Sequence, residues 1–236
     1  MAKYNNYSIS SGKGKLYLKE KQPTPGFEEI TYGTEGKKTF HQYSDSIKGV
    51  PKYFDVKEVA YEGKTLKFME LTLIDGDVSN KISVPLKNAK GNYTDEVKAL
   101  LSALNGLELG EEVTLSTKAT TTTGKNGKEY KNLNIYINYV NRLGENGKGL
   151  STGFIAYSDI PAPEKKVVAG DTVYDWTPQT EFFYTKLGEI QAKFQNGSSA
   201  TPSQIPPKNQ VPQGSPKEAF EPATTTKKED YSNLPF

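Results

Sequence analysis

Cysteine is missing from this 236-residue chain, so it holds no disulfide, no thiolate metal site and no cysteine nucleophile. Histidine occurs once, as His41, and tryptophan once. One imidazole in a β-like segment makes a poor acid–base centre. No Ser/His/Asp grouping, P-loop or glycine-rich dinucleotide fingerprint appears either. No apolar run is long enough to span a bilayer, and the opening MAKYNNYSIS has no signal-peptide core. These absences predict a cytoplasmic protein that is not held in a membrane, is not an enzyme and carries no cofactor.

Apolar content is also low, at 34% of residues with a mean hydropathy of −0.67. Part of the deficit comes from residues 196–236, rich in Pro, Ser, Thr, Gln and Lys. Such a segment cannot bury enough apolar surface to offset its ordering entropy, which predicts a disordered tail. Net charge is only +2, too small to argue nucleic-acid binding alone. Lys208, Lys217, Lys227 and Lys228 balance Glu218, Glu221, Glu229 and Asp230 in the tail, so the excess lies in the folded part. Tyrosine is abundant, at 15, which suits strands and wet interfaces alike.

The clearest architecture lies in residues 52–140. KYFDVKEVAYE (52–62) is β-like and ends at Glu62-Gly63-Lys64; TLKFMELTLI (65–74) follows and ends at the hairpin signal Asp75-Gly76-Asp77. VSNKISVPL (78–86) alternates, with Val78, Asn80, Ile82, Val84 and Leu86 on one face. The period then changes. YTDEVKALLSALNG (93–106) reads as a helix capped by Thr94, with an apolar stripe of Val97, Leu100, Leu101 and Leu104. EEVTLSTKAT (111–120) and NLNIYINYV (132–140) return to period two, with Val113, Leu115, Thr117, Leu133, Ile135 and Ile137 inward. Strand, strand, strand, helix, strand, strand is the order of the OB-fold, a five-stranded Greek-key barrel with a helix between its third and fourth strands.

The flanks are expected to elaborate that core. GKLYLKE and EEITYGTEGKKTFHQY, within residues 1–51, read as a β extension packed on the barrel. Residues 141–195 read as a further extension, in which 141–170 alternate loop signals with one short strand candidate, GFIAYS, and a helix follows over 177–194. Thr177 caps that helix, Pro178 suits its first position, and Phe183, Leu187, Ile190 and Phe194 form one apolar face. Residues 196–236 form the linker and tip.

Binding chemistry is better supplied than catalysis. On the second strand Met69, Leu71 and Leu73 point inward, which leaves Phe68 outward beside Glu70 and Thr72. By the same alternation Tyr136, Lys81 and Lys118 lie outward. Lys64 and Lys67 flank the first turn, and Lys125, Lys128, Tyr130 and Lys131 supply the loop before the last strand. Rings stack on bases for roughly 1–3 kcal/mol each while ammonium groups track phosphates, so aromatics interleaved with lysines suit a single-stranded nucleic acid. OB-folds use this face and these loops. IDGD (74–77) offers two carboxylates, but a calcium loop needs ligand positions that are missing here, and a hairpin turn explains the motif. No metal is expected.

The chain closes on EDYSNLPF. A partner can take the terminal ring in a pocket and the free carboxylate in a basic nest. Pro235 restrains the chain before Phe236, Leu234 adds apolar area, and Glu229 and Asp230 steer towards a basic rim.

The OB-like order, the Pro/Gln/Ser-rich linker and a tip ending in Leu-Pro-Phe together resemble single-stranded DNA-binding proteins, SSBs, of the phage-encoded kind. The resemblance implies sequence-tolerant protection of single strands in replication, recombination or repair, in the host cytoplasm. It also implies that replication or recombination proteins are recruited through the tip. The tip departs from the family in having only two adjacent acids, preceded by Lys227 and Lys228. No oligomerisation signature appears. An RNA-binding OB-fold protein and a β-rich adaptor or virion protein acting through its tail are the alternatives.

Overall fold

The structure, a computed structural model, describes residues 3–32, 36–61, 63–123, 127–168 and 171–197. In chain order the elements are β1 (Lys3–Ser10), β2 (Lys15–Glu20), β3 (Glu28–Tyr32), β4 (Lys37–Ser44), β5 (Ser46–Tyr61), β6 (Lys64–Asp75), β7 (Val78–Pro85), α1 (Asp95–Leu104), β8 (Val113–Thr123), β9 (Glu129–Leu143), β10 (Gly149–Ser151), β11 (Glu164–Val168), β12 (Asp171–Asp175) and α2 (Thr177–Gly197). The protein is mainly β, with a large sheet and a C-terminal helix.

Alternation decides the central strands. Met69, Leu71 and Leu73 of β6, Ile82 and Val84 of β7, Val113 and Leu115 of β8 and Ile137 of β9 are buried with 2% exposure or less. Asp75-Gly76-Asp77 turns β6 into β7, with Gly76 at φ +55°. Thr94 caps α1, its Oγ1 accepting from the Val97 N–H at 3.3 Å. Val97, Leu100, Leu101 and Leu104 are fully buried. These follow the sequence.

The five-stranded closed barrel does not. Among the described residues the sheet has ten strands in the order β10-β9-β8-β5-β6-β7-β1-β2-β4-β3 and is open. The expected neighbours β7-β6-β5-β8-β9 are present, but β7 and β9 do not meet. β1 takes the free edge of β7 in a parallel ladder, and β10 takes the far edge of β9. A strand edge carries unpaired N–H and C=O groups, so whichever strand reaches it first satisfies them. Asn80 reinforces the choice: buried on β7, it accepts from Asn5 Nδ2 at 2.9 Å and donates to the Lys48 carbonyl at 3.4 Å.

The N-terminal strands therefore continue the main sheet. The β1–β2 turn folds back onto β8, where Thr117 Oγ1 donates to the Gly14 carbonyl at 2.9 Å. Gly14 has φ +63°, and a Cβ there would collide with the Ala119 backbone nitrogen. The strand opening the core begins at Ser46, inside the expected 1–51 extension. Residues 46–49 pair with β8 and residues 50–61 with β6. Gly49 stands where β5 changes partner, and a Cβ there would press on the Ile74 backbone at 2.8 Å.

The helix over 177–194 is observed as α2. Phe183, Leu187, Ile190 and Phe194 are all buried, and the Phe194 ring lies 5.5 Å from that of Phe54 on β5. Burial of such side chains stabilises by about 1.5–3 kcal/mol each. Thr177 is the first helical residue rather than the cap, and its N–H donates to Asp175 Oδ1 at 2.9 Å. GFIAYS is not a strand: Ile155 is buried singly, and a short 3-10 turn at Tyr157–Asp159 follows. β11 lies where the sequence suggested loops, and β12 in a stretch for which no element was expected. The expected disordered tail, 196–236, lies outside the described residues from 198 onward.

Candidate nucleic-acid interface

The outer face of β5, β6 and β7 follows from the register. Tyr53 stands opposite Thr72, Asp55 opposite Glu70, Lys57 opposite Phe68 and Tyr61 opposite Lys64. Across the next ladder Thr72 faces Lys81 and Phe68 faces Pro85. All lie on the side away from Met69 and Leu71. Tyr53 is 58% exposed and Tyr61 39%. Beyond residue 49 no strand pairs with the second edge of β5 among the described residues, and the last turn of α2 lies there instead. A groove of about 520 Å³ results, walled by Lys52, Tyr53, Lys57, Thr72, Lys81 and Phe194.

Its electrostatics are mixed. Glu70, mostly covered, sits between two lysines: Lys81 Nζ donates to its Oε1 at 2.9 Å and Lys57 Nζ lies 3.5 Å from Oε2. Ser83 Oγ donates to the same Oε1 at 3.4 Å. Asp55 also borders the groove, its Oδ1 accepting from the Val56 N–H. Lys52, Lys57 and Lys81 therefore outnumber the carboxylates by one.

A second stretch of the same face lies on β8 and β9. Lys118 is exposed opposite Asn134, Tyr136 opposite Ser116 and Tyr130 opposite Thr122. Asn134 Nδ2 and Asn132 Nδ2 donate to Thr120 and Thr122 Oγ1, each at 2.9 Å, bracing the polar surface between the rings. Tyr130 and Tyr136 are 48% and 41% exposed.

Phe68, Lys64, Lys81, Lys118, Tyr130 and Tyr136 thus share the outward side, with Lys128 exposed just before β9. Lys67 and Lys131 do not. Lys67 follows the parity of Met69 and pairs with Glu58 at 2.6 Å, and Lys131 follows that of Ile135. A side-chain period of two puts them on the reverse of the strands that carry Phe68 and Tyr130. Lys125, Glu229, Asp230, Leu234, Pro235 and Phe236 lie outside the described residues. Tyr53, Lys57 and Tyr61 were not singled out from the sequence. The alternation of 53, 55, 57, 59 and 61 carried the signal.

His41 is 2% exposed, its ring stacked on Tyr17 with centroids 4.4 Å apart. Its ring nitrogens lie 3.2 Å from Thr39 Oγ1 and 3.4 Å from Tyr43 Oη. Burial, with Lys19 and Lys13 nearby, pushes its pKa down. The imidazole is packed among its neighbours rather than presented to solvent. Asp75 and Asp77 flank the β6–β7 turn, and among the described residues no three His, Asp or Glu side chains converge as a metal site. No helix among them is long and apolar enough to cross a membrane. Compared with known proteins, the chain matches no family model, no curated protein and no solved structure.

Proposed function

We propose that the protein binds single-stranded DNA without base specificity and without chemistry, protecting it in replication, recombination or repair. The observation carrying this reading is the outer face of β5–β6–β7, which sets Tyr53, Tyr61 and Phe68 among Lys57, Lys64 and Lys81. Rings spaced along neighbouring strands match bases that stack in turn, and the lysines match the phosphates between them. Lys118, Tyr130 and Tyr136 extend the path across β8 and β9. The order β7-β6-β5-β8-β9 with α1 after β7 is that of an OB core left open between its third and fifth strands, and the SSB resemblance rests on it and on the tail. Leu234-Pro235-Phe236, with Glu229 and Asp230, is the proposed hook for replication or recombination proteins.

The test is titration of the full chain, and of a version lacking 229–236, with a fluorescent dT oligomer at low and high salt. Tight binding that weakens with salt in both supports the reading, because counterion release drives phosphate contacts. No binding in either, or a flat salt response, overturns it and favours an adaptor acting through its tail. A matched RNA oligomer as competitor assigns the preference.

A further inference from the structure

A second aromatic hollow lies away from the outer face. The β11–β12 hairpin forms a sheet of its own, and a two-stranded ribbon has little stability alone. On one side of it Lys165 stands opposite Tyr174 and Val167 opposite Thr172. The chain then passes through Asp175 and Trp176 into α2. Tyr174 and Trp176, 55% and 42% exposed, line a hollow of about 350 Å³ with Gly91, Asn92, Thr177 and Thr180. Tyr184, two turns along α2 from Trp176, is 71% exposed.

The surroundings favour a polyanion with flat bases. Asp175, the acid in the wall, is engaged by Lys166 and by the Thr177 N–H, which hold its carboxyl well below the usual carboxylate range. Lys98 Nζ lies 5.6 Å from the Trp176 ring centre, with Asp95 at 3.9 Å, and Lys87 Nζ lies 5.5 Å from the Tyr93 ring. Lys90 is exposed in the same loop. That loop springs from Pro85, which faces Phe68 in the β6–β7 register. The loop that supplies Gly91 and Asn92 to the hollow therefore begins at the strand end beside Phe68.

We propose that the hollow takes a nucleobase of bound single-stranded DNA, stacked on Tyr174 and Trp176, with Asn92 at the base edge and Lys90 and Lys98 beside its phosphates. This second contact rests on the single-strand-binding reading and lies outside the OB-like strands. It lengthens the path of the bound strand beyond the barrel-like core.

Trp176 is the chain's one tryptophan, so its emission reports this hollow alone. The experiment titrates the full chain with a labelled dT oligomer, following label anisotropy and tryptophan emission together. Emission quenched at the same midpoint as the anisotropy change is expected. Tyr174→Ala is expected to weaken binding about tenfold, the size of one stacking contact, while Tyr174→Phe, which keeps the ring, binds as the natural chain does. Anisotropy that rises with emission unchanged, and Tyr174→Ala binding normally, overturns the second contact and leaves the outer face standing. No anisotropy change at all overturns the single-strand reading and this contact with it.

Discussion

Lys81 and Glu70 meet diagonally across the β6–β7 ladder, Nζ to Oε1 at 2.9 Å, with Lys57 reaching the other carboxylate oxygen at 3.5 Å from β5. One carboxylate thus holds two of the lysines that the proposed path needs. In the free protein it spares them mutual repulsion; in a complex it competes with phosphate. Glu70→Gln is expected to raise affinity for a dT oligomer a few-fold and to steepen the salt dependence. Each added phosphate contact contributes about 0.7 to the log–log slope for single strands. Unchanged affinity and slope would place the phosphates elsewhere.

Tyr53 is exposed enough to remove without touching the core. Tyr53→Ala is expected to cost about 1–3 kcal/mol of single-strand binding and to change folding stability by no more than about 0.5 kcal/mol. Oligomer titration and urea unfolding of the same sample separate the two. Equal losses in both would make Tyr53 a packing residue.

Phe183 is 1% exposed and opens the apolar face of α2. Phe183→Ala leaves a cavity that neighbours fill only in part, and it is expected to lower stability by about 3–5 kcal/mol. Urea unfolding measures the loss. A value under 1 kcal/mol would show that α2 contributes little to the core.

His41 gives a pH signature. Its pKa is lowered in the folded state, chiefly by burial and then by Lys19 and Lys13, with Glu28 opposing. The unfolded chain therefore takes up this proton first as pH falls. Stability is full above the unfolded value, near 6.5, and declines below it, by at most about 1.4 kcal/mol per pH unit. Melting followed from pH 7.5 to 5.5 is expected to show the decline in the natural chain and a much flatter profile in His41→Gln. Parallel profiles would assign the pH dependence to other groups.

Much of the core was legible because each strand repeats its own pattern. β6, β7, β8 and β9 show their buried faces at period two, and α1 carries a cap and a stripe. β1 was illegible: KYNNYSIS places asparagines where an alternating strand would show apolar residues, and its partner lies far along the chain. The open sheet follows in part from that unread strand, with β10 taking the other edge. In the candidate site, alternation placed Phe68, Lys81 and Tyr136 on the outward side. Lys67 went astray because closeness to a turn says nothing about which side of the strand a residue takes. Tyr53 and Tyr61 were missed because the register of β5 shifts between Pro51 and Tyr53, so the parity of its first residues does not carry into the outward run 53–61.

The seam between β1 and β7 sets an order of events during synthesis. Asn5 and Asn80, bonded in the finished molecule, are 75 residues apart. β1 must therefore wait for β7 before it has both neighbours. Until then the nascent N-terminal half carries an open strand edge, the kind of surface that invites pairing with other chains. Joining ends so far apart also slows folding relative to a protein of local contacts. A chain stalled before residue 78 would hold β1 paired with β2 but with its other edge unfilled. Joining the N-terminal strands to the rest of the sheet is thus timed by the arrival of one strand.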